Sequence, residues 1–518
     1  MLPPFSQVAH RRQTIPASSC QTCPVALPPR VVDPAPPEVP LDLGTTVVLA
    51  PSVTMLGGGV LFGGAPARLL RPSNAATAIL EAWRTPTVIR TRAEGTLARR
   101  LERSGVVTVV APAPRHGAQP SVTVVIPTKG RVAGVAKVLA QTATFGVAQL
   151  VVDDGSPEEE ASALAALCAT AGATLVRLEE NSGPSTARNA GAEAAQTELV
   201  CFCDSDLDDI PPNLLDLTAH FADPLVGAVA PRIGVTKASG PLAAYESCSS
   251  PLDLGSNPSD VMVRGAVSFV PTACVLARRS LAATFDPTLG VAEDVDWEWT
   301  LLKAGWIIRY DPSIVVAHPM RSSMRAFLAQ RRFYGSGAGP LALRHDDAVA
   351  PIATSGFTAL GALGLLSGQL LLTKTAMGVA TALLRRRIAP LTERPTRTAA
   401  RIVVLGSARA MPSLLRQTIR TYGPLLVVLW TRSTTARRLL VVGTLATALP
   451  RWKRDARGQI SPVGFTALQV LDDLAYATGV LAAAMRRETR GALRPSLTWF
   501  RSSTNEETLS RSGRRLEH

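Results

Sequence analysis

The sequence predicts an α/β protein with a mostly parallel central sheet, preceded by a small α+β unit and followed by a helical C-terminal region. Short β-branched runs recur through the middle third of the chain, and Ala-rich helical stretches separate them, which is typical of a parallel sheet. After about residue 343 long Ala, Leu and Val stretches broken by arginine clusters predict helices. At 518 residues the chain exceeds the size of one hydrophobic core, so two or three units are expected.

The N-terminal part divides into a leader and a small unit. Residues 1–40 are rich in proline and lack an apolar period, which predicts a disordered leader without a signal peptide. Cys20 and Cys23 form a CxxC motif there, but no second ligand pair lies nearby, so a zinc or redox role is disfavoured. Residues 41–112 contain two β-rich runs and two helical patterns, and we expect a small winged-helix-like α+β domain.

The predicted sheet occupies residues 119–345, and each of its apolar runs ends in polar residues. The runs cover residues 121–126, 150–152, 174–178 and 199–202. Ligands of parallel sheets bind beyond the carboxyl ends of the strands, so the residues after each run are the candidate site. Cys201 and Cys203 alternate along the last run, and we expect them to pack in the core.

The first two strand ends carry candidate ligands for a nucleotide. Pro127 and Thr128 begin a turn that opens a helix, whose free backbone N–H groups can face an anion. Asp153 and Asp154 follow the second run, where a carboxylate can accept hydrogen bonds from a nucleobase or from ribose hydroxyls. The alternative for this acidic pair is a helix N-cap.

The next two segments add a cation and a candidate metal site. Arg188 lies on a small-residue helix after a Gly/Pro loop and can bind a phosphate with two parallel hydrogen bonds, unless it is an ordinary surface arginine. Asp204 and Asp206 follow a buried strand at a spacing of two, which suits a divalent cation that bridges a diphosphate. The alternative is an acidic helix N-terminus that continues into Asp208 and Asp209.

Acidic, aromatic and basic residues farther along the chain are candidates for binding an acceptor. Asp294 is the candidate general base, with Glu293 beside it and Trp297 as a flat platform that orients an acceptor hydroxyl. Solvated acids on a surface helix are the alternative. Arg331 and Arg332 combine positive charge with neighbouring aromatic rings and are candidates for a donor-phosphate or acceptor contact.

The composition predicts an anionic partner and a reducing compartment. The 54 lysines and arginines against 40 acids give a formal net charge of +14, which favours nucleotide diphosphates, nucleic acid or an acidic membrane. Seven cysteines without the density of a disulfide-stapled domain indicate the cytosol.

The C-terminal third predicts a membrane-associated region. Residues 348–373 lack charge and are long enough as one helix to cross a hydrocarbon core of roughly 30 Å, and three arginines at 385–387 close the next apolar stretch. We therefore expect residues 346–490 to be helical and associated with the cytoplasmic face of the cell membrane, and residues 491–518 to be a flexible tail. A soluble helical appendage is the alternative.

Taken together, these motifs resemble the family 2 glycosyltransferases with a GT-A fold. The resemblance covers residues 121–345 and rests on the order and spacing of Pro127-Thr128, Asp153-Asp154-Gly155-Ser156, Gly183 with Ala187-Arg188-Asn189, Asp204-Ser205-Asp206 and Glu293-Asp294. It implies an inverting hexosyltransferase in which Asp153 and Arg188 hold the nucleotide, Asp204 and Asp206 bind Mg²⁺ or Mn²⁺, and Asp294 is the base.

The flanking segments are similar to the glycosyltransferases of the mycofactocin system. The similarity lies in residues 61–66, 68–71, 330–345 and 471–476. It implies transfer of glucose from UDP-glucose onto a small peptide-derived redox cofactor as a short β-glucan chain, a peptide-recognition role for the small domain, and no nucleic-acid partner. The segment Gln330-Arg331-Arg332-Phe333 departs from the Q-x-x-R-W element of processive enzymes, so synthesis of long polymers is not expected.

Two further hypotheses remain open from the sequence. A lipid or cell-wall glycan is the alternative acceptor, which the apolar C-terminal third would equally serve. A non-catalytic membrane scaffold with a degenerate transferase domain is the alternative from a different functional class.

Overall fold

A computed structural model describes residues 32–56, 60–65, 67–112, 119–236, 239–486 and 489–499. Within them the chain forms a small N-terminal unit, a central sheet covered by helices, and a C-terminal helical region. Cys20 and Cys23 lie outside the described residues, as does most of the expected disordered leader.

The small N-terminal unit folds as two short antiparallel sheets with two helices. Its strands β5, β1 and β6 form one sheet and β2, β3 and β4 the other. Trp83, Leu80 and Val47 are fully buried in its core. Its elements are β1 (Thr46–Leu49), β2 (Thr54–Leu56), β3 (Val60–Gly63), β4 (Arg68–Leu70), α1 (Asn74–Ala82), β5 (Thr87–Val88), α2 (Arg92–Glu102) and β6 (Val107–Ala111).

Residues 32–40 differ from the predicted disordered leader. The Trp306 indole donates to the Asp33 carbonyl (2.8 Å), and the Ala35 amide donates to the Ala304 carbonyl (2.9 Å). An extended Pro-rich segment cannot form helix or sheet ladders, but these bonds tie it along the central domain.

A buried ion network fastens the small unit to the central sheet. Arg309 of the sheet donates to Glu102 and to Asp223, each at 2.7 Å, and Arg99 pairs with Asp223 at 2.8 Å. The charges compensate each other, as buried charges must. The two parts therefore pack as one body around these residues.

The central domain is an eight-stranded sheet in the order β12-β14-β11-β13-β10-β7-β8-β9. Six strands run in one direction and two, β13 and β12, run opposite, so the predicted mostly parallel α/β sheet is confirmed. The strands are β7 (Val122–Thr128), β8 (Ala148–Asp154), β9 (Thr174–Leu178), β10 (Leu199–Cys203), β11 (Val226–Val235), β12 (Ser259–Asp260), β13 (Cys274–Arg278) and β14 (Ile307–His318). The helices are α3 (Val132–Thr142), α4 (Glu158–Ala171), α5 (Pro184–Ala194), α6 (Pro241–Ser249), α7 (Arg279–Ala282) and α8 (Glu293–Lys303).

The sheet buries both of its faces, which explains the continuous β-branched runs of its strands. Cys201 and Cys203 are fully buried, as predicted, and Cys274 lies opposite Cys203 on the neighbouring strand. The three thiols lie within 4.8 Å of one another inside the apolar core beneath the end of β10.

The C-terminal region is helical, as predicted. It contains α9 (Met324–Ser336), α10 (Ala338–His345), α11 (Gly356–Ser367), α12 (Leu370–Ile388), α13 (Pro395–Val428), α14 (Thr434–Arg438), α15 (Thr444–Arg451) and α16 (Pro462–Arg486). Two short strands, β15 (Ala353–Ser355) and β16 (Ser496–Thr498), pair in parallel. The start of the expected flexible tail is therefore fixed by a strand pair.

The expectation of a membrane-spanning helix over residues 348–373 is wrong. The segment is divided into the strand β15, the 12-residue helix α11 and the start of α12. Gly368 ends α11 with φ 81°, a left-handed conformation that glycine adopts without steric cost, and the chain reverses into α12. Twelve residues are too few to cross a bilayer as a helix.

Helix α16 is the one helix among the described residues that is long and apolar enough to cross a membrane, and half of its apolar stretch is buried within the protein. Asp472 and Asp473 in its middle are fully buried. Arg420 of α13 contacts both, at 3.3 and 3.1 Å, and the Tyr245 hydroxyl donates to Asp472 at 2.9 Å. This helix therefore joins the helical region to the central domain.

Candidate active site

The candidate site lies at the edge of the sheet where β8, β7 and β10 end side by side. Strand β7 pairs in parallel with both neighbours, and Thr128 lies opposite Asp153. Asp204 follows the last residue of β10, and its amide donates to the carbonyl of Ala273, the residue before β13 (2.8 Å). The parallel direction of these strands brings residues that are far apart in sequence to one edge.

His318 is brought to Asp206 by the end of β14. The Asp208 amide donates to the Ala317 carbonyl at 2.8 Å, which ties the end of β14 to the segment after β10. His318 Nδ1 donates to the Pro319 carbonyl (2.8 Å), so its Nε2 carries the free lone pair and lies 3.5 Å from Asp206 Oδ1. An imidazole nitrogen and a carboxylate at this distance are suitable ligands for one divalent cation.

Arg188 links the end of β10 to the start of α8. It is almost fully buried and donates to Asp204 Oδ1 (3.0 Å) and to Glu293 Oε1 (3.2 Å), while its guanidinium lies 5.7 Å from the centre of the Phe285 ring. Burial lowers the pKa of Arg188, but the charges of Asp204, Glu293 and Asp294 outweigh this effect and raise it. Arg188 is therefore a fixed cation held by carboxylates, and the surface-arginine alternative is wrong.

The carboxylates of the site outnumber its cations. Burial raises the pKa of Asp204, and the nearby charge of Asp206 adds to this, although Arg188 opposes it. Asp206 Oδ2 accepts from Arg131 at 2.5 Å, but half of the Arg131 side chain is exposed to solvent. A site with surplus buried negative charge stabilises a bound cation, so the residues present fit a divalent metal.

Asp294 has the properties of a general base. Burial, together with the charge of Glu293, raises its pKa to about 7. The amide of Val295 donates to its Oδ1 at 2.8 Å, which fixes the side chain at the first turn of α8. Ala292 precedes this turn with φ 60°, a strained backbone for a residue with a side chain, and such strain is concentrated at functional sites. A carboxylate with a pKa near 7 can take up a proton at neutral pH.

Asp153 and Asp154 have different hydrogen-bond partners. Asp154 accepts the backbone amides of Ser182 (2.7 Å) and Gly183 (2.9 Å), so both of its oxygens hold the loop that begins α5. Asp154 thereby positions the helix that carries Arg188, and its predicted contact with a nucleotide stays a prediction. Asp153 Oδ1 accepts from Ser156, while its buried Oδ2 has no hydrogen-bond partner among the described residues.

Gly155 and Thr128 shape the turns that follow β8 and β7. Gly155 has φ 64°, and a Cβ there would lie 2.4 Å from the Asn181 amide nitrogen, so only glycine permits this close approach of the two loops. Thr128 is buried and donates to the Gly130 carbonyl (2.9 Å), which orders the turn after β7. Pro127 is half-buried beside it.

Trp297 was predicted as an acceptor platform, and the structure contradicts this. Its side chain is 1% exposed, its indole donates to the Leu281 carbonyl (2.9 Å), and its ring stacks on Phe285 at 4.8 Å. On α8 it points into the core, where it packs with Phe285 and Leu281 against the sheet. Phe285 lies beneath Arg188, so Trp297 supports the site from within the core.

Arg331 was predicted to contact a donor or acceptor, and the structure contradicts this as well. Its side chain is fully buried and pairs with Glu246 of α6 and with Asp472 of α16, the latter at 3.2 Å. Arg331 thus joins the central domain to the helical region. Arg332 on the same helix is exposed, and its predicted role stays untested.

The sequence interpretation missed His318, and it included Asn189 in a motif without assigning it a role. His318 ends an alternating apolar run, and a polar residue at the end of a strand was the available signal. Asn189 bonds both backbone groups of Phe285, at 2.8 and 3.0 Å, and fixes the ring below Arg188. Its partner lies almost a hundred residues away, so nothing in the local sequence indicated this contact.

Comparison with known proteins connects this geometry to a family. Residues 123–284 match the family model "Glycosyl transferase family 2". The chain is 35% identical over 471 residues to "Pre-mycofactocin glycosyltransferase" of Mycobacterium tuberculosis, in strains CDC 1551 / Oshkosh and ATCC 25618 / H37Rv. The alignment covers 88% of this chain and 98% of that protein.

Solved structures with low sequence identity were also found. One is the mannosyltransferase PcManGT from Pyrobaculum calidifontis in complex with GDP-Man and Mn²⁺, with 18% identity, TM-score 0.39, and coverage of 71% of this chain and 89% of that one. Another is S. aureus TarS 1-349 in complex with UDP, with 15% identity, TM-score 0.31, and coverage of 71% and 92%.

Proposed function

This chain belongs to glycosyl transferase family 2, and we propose that it transfers glucose from UDP-glucose onto a hydroxyl of a peptide-derived acceptor with inversion at the anomeric carbon. The observation that carries the proposal is the convergence of Arg188, Asp204, Glu293 and Asp294 at the carboxyl edge of the sheet. Surplus carboxylates and one base with a pKa near 7 are what a displacement of a nucleoside diphosphate requires.

The donor is proposed to bind across the ends of β7, β8 and β10. Asp153 Oδ2 is buried and accepts no hydrogen bond among the described residues, with Arg177 as an ion-pair partner at 3.8 Å, and an acceptor of this kind can be satisfied by an N–H or O–H of a ligand. We assign it to the nucleoside, with Pro127 and Thr128 lining the adjacent turn. Arg188 supplies positive charge next to the diphosphate.

Asp204 and Asp206 are proposed to hold Mg²⁺ or Mn²⁺, with His318 as an additional ligand. When bound, the cation supplies charge stabilisation for the departing diphosphate. The hard oxygens of two carboxylates fit either ion. His318 reaches them because the Pro319 carbonyl fixes its other ring nitrogen.

The chemical step uses Asp294. The acceptor oxygen forms a bond to the anomeric carbon as the bond from that carbon to the diphosphate oxygen breaks. The proton of the acceptor hydroxyl passes to the Asp294 carboxylate, and the nucleoside diphosphate leaves with the electron pair. Glu293 keeps Arg188 oriented and its charge raises the proton affinity of Asp294.

The acceptor is proposed from the relatives, and the sugar and the product from the resemblance of the sequence motifs. The protein from Mycobacterium tuberculosis is named for pre-mycofactocin, and the alignment with it extends over nearly its whole length. We propose the same peptide-derived acceptor for this chain, and a short β-glucan chain as the product.

The test is a mass-spectrometric assay of the full chain with UDP-glucose, other nucleotide sugars, Mn²⁺ or Mg²⁺, and either pre-mycofactocin or a lipid extract. We expect hexose additions on the peptide-derived acceptor with UDP-glucose, and none in the presence of a chelator. Asp206→Asn should abolish the additions, and Asp216→Asn, an exposed acid elsewhere, should keep them.

Other outcomes separate the parts of the proposal. Hexose on the lipid extract alone would overturn the acceptor, and another nucleotide sugar as donor would overturn glucose. Absence of any transfer, together with absence of nucleotide-sugar binding in calorimetry, would overturn catalysis and favour a scaffold.

A further inference from the structure

One end of the helical region exposes many large apolar side chains. We call it the apolar tip and define it as residues 363–371, 425–430 and 439–445. Leu371 is 78% exposed, Val428 73% and Trp430 41%. Further exposed members are Leu363, Leu365, Leu370, Leu425, Val427 and Val442. Soluble proteins seldom expose contiguous apolar patches of such size unless the patch binds something.

The three segments of the apolar tip meet in space. Leu366 from the end of α11, and Leu426 from the end of α13, pack with Leu440 around the buried Leu439. Arg438 donates to the Leu366 carbonyl at 3.3 Å, which joins the turn after α11 to α14. The exposed residues therefore belong to one surface and are not scattered along the helices.

The opposite end of the same helices is covered by the protein itself. Leu384 and Ile388 at the end of α12 are buried together with Ala399 near the start of α13, and Leu69 of the small unit packs against them. Helix α12 is 19 residues long, so about 28 Å separates this covered end from the apolar tip. The apolar tip is thus the uncovered end of the region, directed away from the small unit.

The charge around the apolar tip identifies its partner. Residues 348–454 contain 16 lysines and arginines but a single acid, Glu393, although those at 385–387 lie at the covered end and Arg416 and Arg420 pair with buried acids. Arg432 and Arg438 are exposed at the apolar tip, and Lys374 is exposed one turn along α12. Apolar side chains and a Trp surrounded by basic residues match the interface of an anionic bilayer.

The protein would meet that bilayer at its surface. Helix α16 has the length to cross a membrane, but Asp472 and Asp473 in its middle are buried in ion pairs with Arg420 of the neighbouring helix. Removing this helix into lipid would break those pairs. Helix α11 has only 12 residues. Insertion of the apolar tip requires no change in the packing of either helix.

We propose that the apolar tip inserts into the headgroup region of an anionic membrane and holds the enzyme there as a peripheral protein. This inference does not depend on the identity of the sugar or of the acceptor, and it assigns the basic C-terminal region a partner. The active site is built from the central sheet and α8, so lipid binding and glycosyl transfer can be tested separately.

The experiment is flotation of the full-length protein with vesicles of phosphatidylcholine alone or mixed with phosphatidylglycerol. The wild type should float with the anionic vesicles and be released by salt. Leu371→Glu with Val428→Glu should lower the bound fraction at least tenfold. Met485→Glu is the matched control, because Met485 is 75% exposed on α16 outside the apolar tip, and it should bind as the wild type does.

Three results would overturn the inference. The first is an absence of wild-type flotation, and the second is equal flotation of the wild type and the apolar-tip variant. The third is a wild type that sediments as a dimer without vesicles while the variant sediments as a monomer, which would assign the surface to a second copy. Turnover of a soluble acceptor should be equal in the wild type and the apolar-tip variant. A loss of transfer in both proteins would count against the proposed reaction and leave flotation as an independent result.

Discussion

Two clusters of arginine and carboxylate groups, each built around a buried arginine, differ in charge balance. The site cluster consists of Arg188 with Asp204, Asp206, Glu293 and Asp294, so four carboxylates face one buried cation. The junction cluster pairs three basic residues with three acids. Its members are Arg331, Arg416, Arg420, Glu246, Asp472 and Asp473.

The difference separates a reactive cluster from a structural one. In the junction cluster each charge is compensated within the protein, so nothing further needs to bind. In the site cluster burial, together with the charge of neighbouring acids, raises the pKa of Asp204 and of Asp294, which leaves room for a metal cation and for a proton. Burial also raises the pKa of Asp473 in the junction cluster, but there Arg416 and Arg420 oppose it. Arginine and carboxylate side chains therefore serve different purposes according to the ratio of positive to negative charges in each cluster.

The largest expected effect is on the site cluster. Asp294→Asn removes the proposed base and should lower kcat about 10³-fold, within the range for general-base catalysis. Wild-type kcat should rise with pH up to about 7 and then level off, because Asp294 accepts a proton only when ionised. The initial rate of nucleoside diphosphate release over a range of pH measures both effects.

Asp216→Asn controls for a general effect of replacing an acid, and its pH profile should match that of the wild type. A variant Asp294→Asn that keeps the wild-type rise with pH would assign the base to another residue.

The second prediction concerns the junction cluster. Asp472→Asn leaves three arginines facing two acids in the junction cluster, so one positive charge is uncompensated, and the variant should lower the free energy of unfolding by about 3 kcal/mol. Chemical denaturation measures the loss. The kcat of the protein that remains folded should change less than about twofold, since the ion pairs and the hydrogen bond of Asp472 among the described residues go to the junction cluster and to Tyr245.

Asp455→Asn, which removes an exposed ion pair with Arg454, is the matched control and should change the stability by less than about 0.5 kcal/mol. A large loss of kcat in Asp472→Asn without a loss of stability would mean that the junction cluster belongs to the site.

The sequence predicted the sheet and the site cluster because both are encoded locally. A buried parallel strand reads as a β-branched run, and the acids that follow it, such as Asp204, necessarily lie at the carboxyl edge. The errors at Trp297 and Arg331 have a different origin. Whether an indole or a guanidinium faces solvent depends on Phe285, Glu246 and other distant partners that no local pattern specifies.

The third prediction tests the geometry of the cation in the site cluster. Arg188→Lys keeps the charge but replaces the two guanidinium nitrogens that donate to Asp204 and Glu293 with one ammonium nitrogen, which should weaken one of these hydrogen bonds. Loss of one hydrogen bond between charged groups corresponds to roughly a tenfold change in an equilibrium or rate constant, and we expect the KM for the donor to rise by about this factor. Arg279→Lys, at an exposed position, is the control. A change confined to kcat would argue that Arg188 acts only in the transition state.

The smallest expected effect is on stability and also follows from the charge balance of the site cluster. The pKa of Asp294 is about 7 in the folded chain and about 3.9 in an unfolded one, so the folded state retains a proton that the unfolded state loses between these values. Folding of the metal-free wild type should therefore weaken as pH rises from 4 to 7, and Asp294→Asn should lack this contribution. We expect the Tm of Asp294→Asn minus the Tm of the wild type to be about 2 °C larger at pH 8 than at pH 4.5. The shift is small because the carboxylate is only partly buried. Calorimetry with chelator tests this, and Asp216→Asn should show no such difference. An opposite sign would mean that the ionised Asp294 is stabilised in the fold, and the surplus of negative charge would then not be the property that distinguishes the site cluster from the junction cluster.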